Sequence, residues 1–291
     1  MSDSVGETTR TTDDTPRVGR RAVLQAAGAT MAGSLLVGRA GATHGDDSTY
    51  TAWGRPVEIA DDVDVRTFAT LTSRGVPVEV GVHLPTEALR VLPAGMAMYA
   101  LSLPRALSKR DTHAFTYVGF DWAPTGHPGP MYEVPHFDVH FHMLDESVVE
   151  AIGPAAAAYD VAPERMPAGY AFAPGREIVP AMGEHLLDFS SPEFNGEAFT
   201  ETFIYGAYSR DGSFDPETGA FGAGTTGEIT FFEPMVTKAF LEAGGSVRKP
   251  IERPQGFAVA GYYPTTYAIE DRREWRAYVV TLEDFEWFDA V

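Results

Sequence analysis

The chain has 291 residues, with 22 Lys and Arg against 41 Asp and Glu, a formal charge of −19 and no cysteine. The missing cysteine excludes disulfides, thiolate metal sites, cysteine nucleophiles and lipid attachment through an N-terminal cysteine. So acidic a surface repels nucleic acid and anionic lipid, which excludes both as partners.

In chain order, the N-terminus reads as an export segment. Arg20-Arg21 precede Ala22-Val23-Leu24, an apolar run reaches Val37, and Arg39 is followed by the small residues Ala40-Gly41-Ala42, a cleavage pattern. The run from Ala22 to Val37 is 16 residues, short of the ~20 that span a bilayer. The paired arginines resemble the twin-arginine signal, with Gly19 where Ser or Thr is more usual. Residues 1–42 are therefore expected to direct the protein out of the cell or to the outer face of its membrane, with no membrane insertion of the mature chain. Residues 1–42 hold five Arg and four acids, so the remaining 249 residues carry 17 basic and 37 acidic side chains, a formal charge of −20. Acidity spread along the whole chain resembles that of proteins from salt-loving organisms.

Residues 43–62 are polar and acidic and read as a flexible lead-in to one β-rich domain over 63–291. Strand patterns follow at Val65–Thr72, Val76–His83, Met96–Leu103, Thr112–Trp122, Tyr132–Met143, Phe199–Tyr208, Gly227–Phe232, Phe257–Tyr262, Thr265–Glu270 and Trp275–Leu282, punctuated by Gly and Pro. Helical patterns are few: Ser147–Ile152, Pro154–Tyr159, and Met235–Ala243 ended by Gly244-Gly245. Pro163–Pro180 reads as a long loop. The expected fold is mainly β, an antiparallel barrel or sandwich with a few peripheral helices.

The stretch His136–Met143 is the most informative. At a period of two, one face carries His136, Asp138, His140 and His142, the other Phe137, Val139, Phe141 and Met143. A solvated strand face is more cheaply made of Lys, Glu or Thr, so a face of metal-ligand and acid–base types asks for a chemical role. Spacing limits that role. At ~3.4 Å per residue, ligands two apart sit ~7 Å apart and His136 and His140 ~13 Å apart. One ion with bonds near 2 Å to nitrogen therefore takes His140 with His142, or His140 with Asp138, but not His136 with His140 on a regular strand. Glu233 ends the predicted strand Gly227–Phe232 before Pro234, where its carboxylate serves either as a metal ligand or as the cap of the following helix. His127 lies in a Pro/Gly turn, and His83 and His113 are isolated on strand patterns. No Gly-x-Ser-x-Gly elbow, phosphate loop or His-Glu-x-x-His motif is present.

The spacing His140-x-His142-x-x-x-Glu146, with Gly175 to His185 as a distorted second motif, resembles the two metal motifs of cupins. That resemblance implies a divalent metal held by His140, His142, Glu146 and His185 inside a barrel; it departs from cupins in lacking a glycine six residues before His140. A second resemblance covers about Thr112 to Ala243. Gly126-His127-Pro128-Gly129-Pro130, Tyr132-x-Val134-Pro135-His136-Phe137-Asp138-x-His140-Phe141, Val179-Pro180-x-Met182-Gly183-x-His185, Thr202–Gly206 and Phe232-Glu233-Pro234-Met235 occur in order. This series is similar to an uncharacterised prokaryotic family, a domain of unknown function typified by a Thermus protein encoded with a sigma-E regulator. It implies that His127, His136, Asp138, His140, His185 and Glu233 belong to one site, and that His142 stands where other members carry an aromatic residue.

Together these readings predict a divalent metal site, for Zn, Fe or Mn, built from His140 and His185, completed by His136 or Glu233, with His142 as a further ligand candidate and His127 and Asp138 nearby. A small molecule is the expected partner of such a site. The competing expectation is a non-enzymatic, homo-oligomeric envelope or stress-associated module whose His/Asp face is structural.

Overall fold

Strands that alternate apolar and polar residues can bury one face in a common core and give the other to a different neighbour, and two antiparallel sheets are built here on that rule. The computed structural model describes residues 48–60, 62–108, 113–128, 131–156, 159–209, 214–215, 217, 220–221 and 225–291. The export segment read over residues 1–42 lies outside them. The first sheet runs in the order Thr49–Trp53, Val63–Thr72, Pro77–Pro85, Ala277–Glu283, Thr266–Arg272 and Val247–Pro250, with Val57–Ala60 attached to Val63–Thr72. The second runs Tyr170–Phe172, Glu184–Asp188, Glu201–Tyr208, Thr226–Thr237, His136–His142, Tyr117–Ala123 and Ala97–Ser102. Among the described residues the sheets form a sandwich-like arrangement and no closed barrel, which decides between the two architectures expected.

The core lies between them. Val65, Leu71, Val80 and Val82 of the first sheet join Val118, Phe120, Phe137, Val139, Phe141, Tyr205 and Phe232 of the second in one buried cluster. Each such side chain contributes roughly 1.5–3 kcal/mol when fully buried, so the apolar half of the His136–His142 strand is anchored to the core. Its polar half faces the other side of the second sheet. That side is covered as well: all seven residues of His136–His142 are buried. A smaller apolar cluster of Leu187, Phe199, Ile204 and Met235, with Tyr132, Ala173 and Phe194 packed on it, forms part of the cover.

Several expectations change. The lead-in expected to be loose over 43–62 carries two strands, Thr49–Trp53 paired with Val63–Thr72 and Val57–Ala60 paired with the start of that same strand. The strand expected to stop at Phe232 continues through Pro234 to Thr237. Proline supplies no N–H, and the ladder to His136–His142 accordingly skips Glu233 and Pro234, while pairing to Glu201–Tyr208 continues through them. The helix expected from Met235 begins instead at Lys238, capped by Thr237, whose Oγ1 accepts from the Phe240 N–H at 3.2 Å. It ends as expected, at Gly244 in the left-handed conformation. The alanine-rich Pro154–Tyr159 stretch is not helical where described: Ala155–Ala156 pairs with Glu177–Ile178, so tertiary pairing overrides local propensity. That pairing and the strand Tyr170–Phe172 also give structure to the segment expected to be a loop. No helix among the described residues is long and apolar enough to cross a membrane.

Candidate metal centre

Register sets the site. His140 stands opposite Gly119 on one neighbouring strand. On the other, Phe231 pairs with His142, Phe232 with Phe141 and Met235 with Asp138, and this constant offset puts Glu233 opposite His140. One strand further, Phe231 pairs with Gly206, and Gly206 pairs in turn with His185. His185 is thus three strands from His140, ~14 Å at ~4.8 Å per strand. That span is closed by Glu233 standing between them and by the absence of a side chain at Gly206. The His140 Nε2 lies 3.3 Å from Glu233 Oε1, and the His185 Nε2 lies 3.6 Å from Glu233 Oε2. One ligand atom from each of His140, His185 and Glu233 falls within 4.8 Å of the others. Ligands on one tetrahedral zinc, with Zn–N bonds of ~2.0–2.1 Å, are about 3.3 Å apart, close to the two shorter separations.

The electrostatics favour a cation there. Glu233 is 2% exposed, and its ion-pair neighbours are the two histidines. Neither His140 Nε2 nor Glu233 Oε2 has a hydrogen-bond partner, although both are buried. Burial works against charge on His140, but Glu233, then Asp121 and Asp138, push its pKa up to about 9. Burial pushes the His185 imidazole below its ordinary value, against the pull of Glu233. Asp121 Oδ2 stands 3.5 Å from His140 Nδ1, so a carboxylate backs the ring on the side away from Glu233. Burial, with Asp138 and Glu233 adding to it and His140 opposing, raises the Asp121 pKa to about 6.

His136 and Asp138 form a separate group with His127. The His127 Nε2 hydrogen-bonds to Asp138 Oδ2 at 2.9 Å, and the His136 Nε2 lies 3.1 Å from Asp138 Oδ1. Burial of Asp138 opposes its charge, yet His127 and His136 outweigh that and hold the carboxyl below the usual range. The hydrogen bond to Asp138 raises the His127 pKa, against partial burial.

His142 plays a different part. Its ring stacks on Tyr117 at 4.5 Å and on His140 at 5.6 Å. Burial first, and His140 second, hold it well below its ordinary pKa, so it is neutral. It belongs to neither ligand group among the described residues; it lines a cavity of about 180 Å³ with Tyr117, Gly119, Asp121, His140 and Met182. Glu146, the carboxylate in the ligand set that the cupin resemblance implies, is exposed at the start of the helix Glu146–Glu150 and lies on the rim of that cavity. His113 donates from Nε2 to the Leu107 carbonyl at 2.9 Å, and His83 packs against Trp53 and Trp275 in the first sheet.

Six of the residues singled out from sequence therefore divide between two groups, and His142 and Glu146 join neither. Glu233, rather than His136, stands with His140 and His185, and it caps no helix. Sequence reading missed Asp121, Phe231 and Gly206. Asp121 had a visible signal, an acid inside the otherwise uncharged run Tyr117–Ala123. Phe231 and Gly206 had none, because their meaning comes from cross-strand register. Fold and site together define a β-sandwich-like protein with two buried histidine–carboxylate groups able to hold metal on the face of one sheet. Compared with protein families, curated proteins and solved structures, the chain matches none.

Proposed function

We propose that this protein is an exported, salt-adapted metalloprotein that binds one divalent ion through His140, His185 and Glu233 and acts on a small molecule. The observation that carries this reading is the convergence of three donor side chains from three different strands onto one buried point, where two of the converging atoms have no hydrogen bond. Two imidazoles and one carboxylate suit Zn, Fe or Mn. Such an ion supplies Lewis acidity or an activated water. The protein's own part is to hold His140 between Glu233 and Asp121, with the cavity beside Tyr117 and His142 reaching His140 from its Asp121 side. A cavity of about 180 Å³ is below the ~300–1,000 Å³ of drug-sized pockets, so the substrate is small. Export rests on Arg20-Arg21 and the run that follows. Kinship with the uncharacterised family, and the weaker likeness to cupins, rest on the motifs quoted above.

A second reading keeps the face structural, within a non-enzymatic oligomeric envelope module. It draws on the hydrogen bond from His127 to Asp138, which needs no ion. Elemental analysis of protein purified without chelator separates the two. The metal reading expects an equivalent of metal that His140→Ala, His185→Ala and Glu233→Gln each remove from a folded protein. A metal-free protein that neither binds Zn²⁺, Fe²⁺ or Mn²⁺ on titration nor melts higher with them would leave the structural reading standing.

A further inference from the structure

We infer that His127, His136 and Asp138 form a second cation site, independent of the first, that clasps the turn carrying His127 to the sheet. The His136 Nδ1 lies 2.6 Å from the Val134 carbonyl oxygen. A carbonyl only accepts, so Nδ1 carries the ring proton. In neutral His136 the lone pair therefore sits on Nε2, 3.1 Å from Asp138 Oδ1. Both atoms are buried and neither has a hydrogen-bond partner. At 3.1 Å, two acceptor atoms in a dry interior repel each other unless a cation joins them.

The unsatisfied pair favours a metal over a proton. A proton bridging the pair would lie on the line from Nε2 to Oδ1 and register as a hydrogen bond. Here the distance suits one, yet both buried atoms lack a hydrogen-bond partner. Two ligands on one ion behave this way: they sit about 3.3 Å apart for ~2.0–2.1 Å bonds, and their lone pairs meet at a third point rather than at each other. His127 supplies the remaining donor when the ion displaces the proton that its Nε2 shares with Asp138 Oδ2 at 2.9 Å, and its side chain is 36% exposed.

The turn is built to hold His127 there. Gly126 is in the left-handed region at φ 73°, and a β-carbon on it would collide with the Tyr132 carbonyl. The His127 N–H donates to that same carbonyl at 3.0 Å. Two imidazoles and a carboxylate suit Zn²⁺. Asp138 and His140 lie two residues apart on one strand, ~7 Å, too far for the ~3.5–4 Å of a bridged metal pair. His136 and Asp138 are 0–1% exposed, so the ion's role is structural, and metal binding adds to folding stability there.

The test is zinc titration of the chelator-stripped mature protein and of Glu233→Gln, which disables the first site, with His185→Ala as a second way to disable it. Hydrogen exchange is followed at residues 124–128 and 131–135. The proposal expects two equivalents in the wild type and one in Glu233→Gln. That remaining equivalent should slow exchange in the turn, and His127→Ala, a change at a partly exposed position, should abolish it. One equivalent in the wild type and none in Glu233→Gln would overturn this proposal while sparing the function proposed above. One equivalent kept in Glu233→Gln and lost in His127→Ala would do the reverse. No zinc in any form would overturn both.

Discussion

Phe231 lays its ring directly over Gly206, in the space that any side chain at 206 would need. From there the ring meets His140, His142 and His185 at centroid distances of 5.1, 5.4 and 5.5 Å. One phenyl group thus separates and positions three of the histidines. Gly206→Ala puts a methyl inside that ring. Overpacking of this kind costs ~1–3 kcal/mol, and the displaced ring must press on the histidines. Urea denaturation should show that loss of stability, and zinc titration of the folded variant should show weaker binding at His140, His185 and Glu233. An alanine variant with wild-type stability and affinity would mean that Phe231 finds another place at no cost.

Glu184 is fully buried and is held by Arg176, whose Nε and one terminal nitrogen donate to the carboxylate at 2.7 and 3.0 Å. The same guanidinium lies 3.7 Å over the Phe172 ring and donates to the Tyr159 carbonyl at 2.9 Å. Arg176→Met strands a buried carboxylate. Breaking such a pair costs ~3–5 kcal/mol, and the partial exposure of Arg176 points to the lower end. Replacing both partners with methionine should recover most of the loss, which chemical denaturation of the single and double variants will measure.

His83 sits directly across from Arg66, between Trp53 and Trp275. Burial first, and the Arg66 charge second, lower its pKa. The unfolded chain therefore takes up a proton at this position more readily than the folded one, and His83 costs stability as pH falls through the unfolded value of about 6.5. Above that pH the cost vanishes. His83→Gln should narrow the gap between the melting temperatures at pH 8 and pH 5.5, and an unchanged gap would show that His83 stays neutral throughout without penalty.

Residues 43–291 carry a formal charge of −20. At 0.01 M ionic strength the Debye length is ~30 Å, against ~3 Å at 1 M, so self-repulsion is screened only in salt. The melting temperature should rise steadily from dilute buffer to molar KCl. A flat profile would remove the salt-adapted reading.

The two-sided strand His136–His142 was legible because alternation is written directly into the sequence, whereas the meeting of His185 with His140 was expected only from motif resemblances and is made by cross-strand register. Glu233 was harder to place. Pro234 carries a stop signal, and only the pairing of Thr226–Thr237 with Glu201–Tyr208 shows the strand running on through it. Thr49–Trp53 was missed because it is a largely exposed edge strand with no apolar face to advertise it. Asp121 gave a local signal, an acid in an uncharged run, but its place opposite Asp138 and behind His140 is set by register.

That alternation ties the correctness of folding to chemistry. A slip of one residue in the His136–His142 strand would exchange its faces, driving four polar side chains against Phe120 and Val82 and offering an ion Phe137, Val139 and Phe141 instead. A chain paired wrongly here can neither pack nor coordinate. On the metal reading proposed above, the metal content of a preparation then counts the fraction of molecules whose strands have found their register.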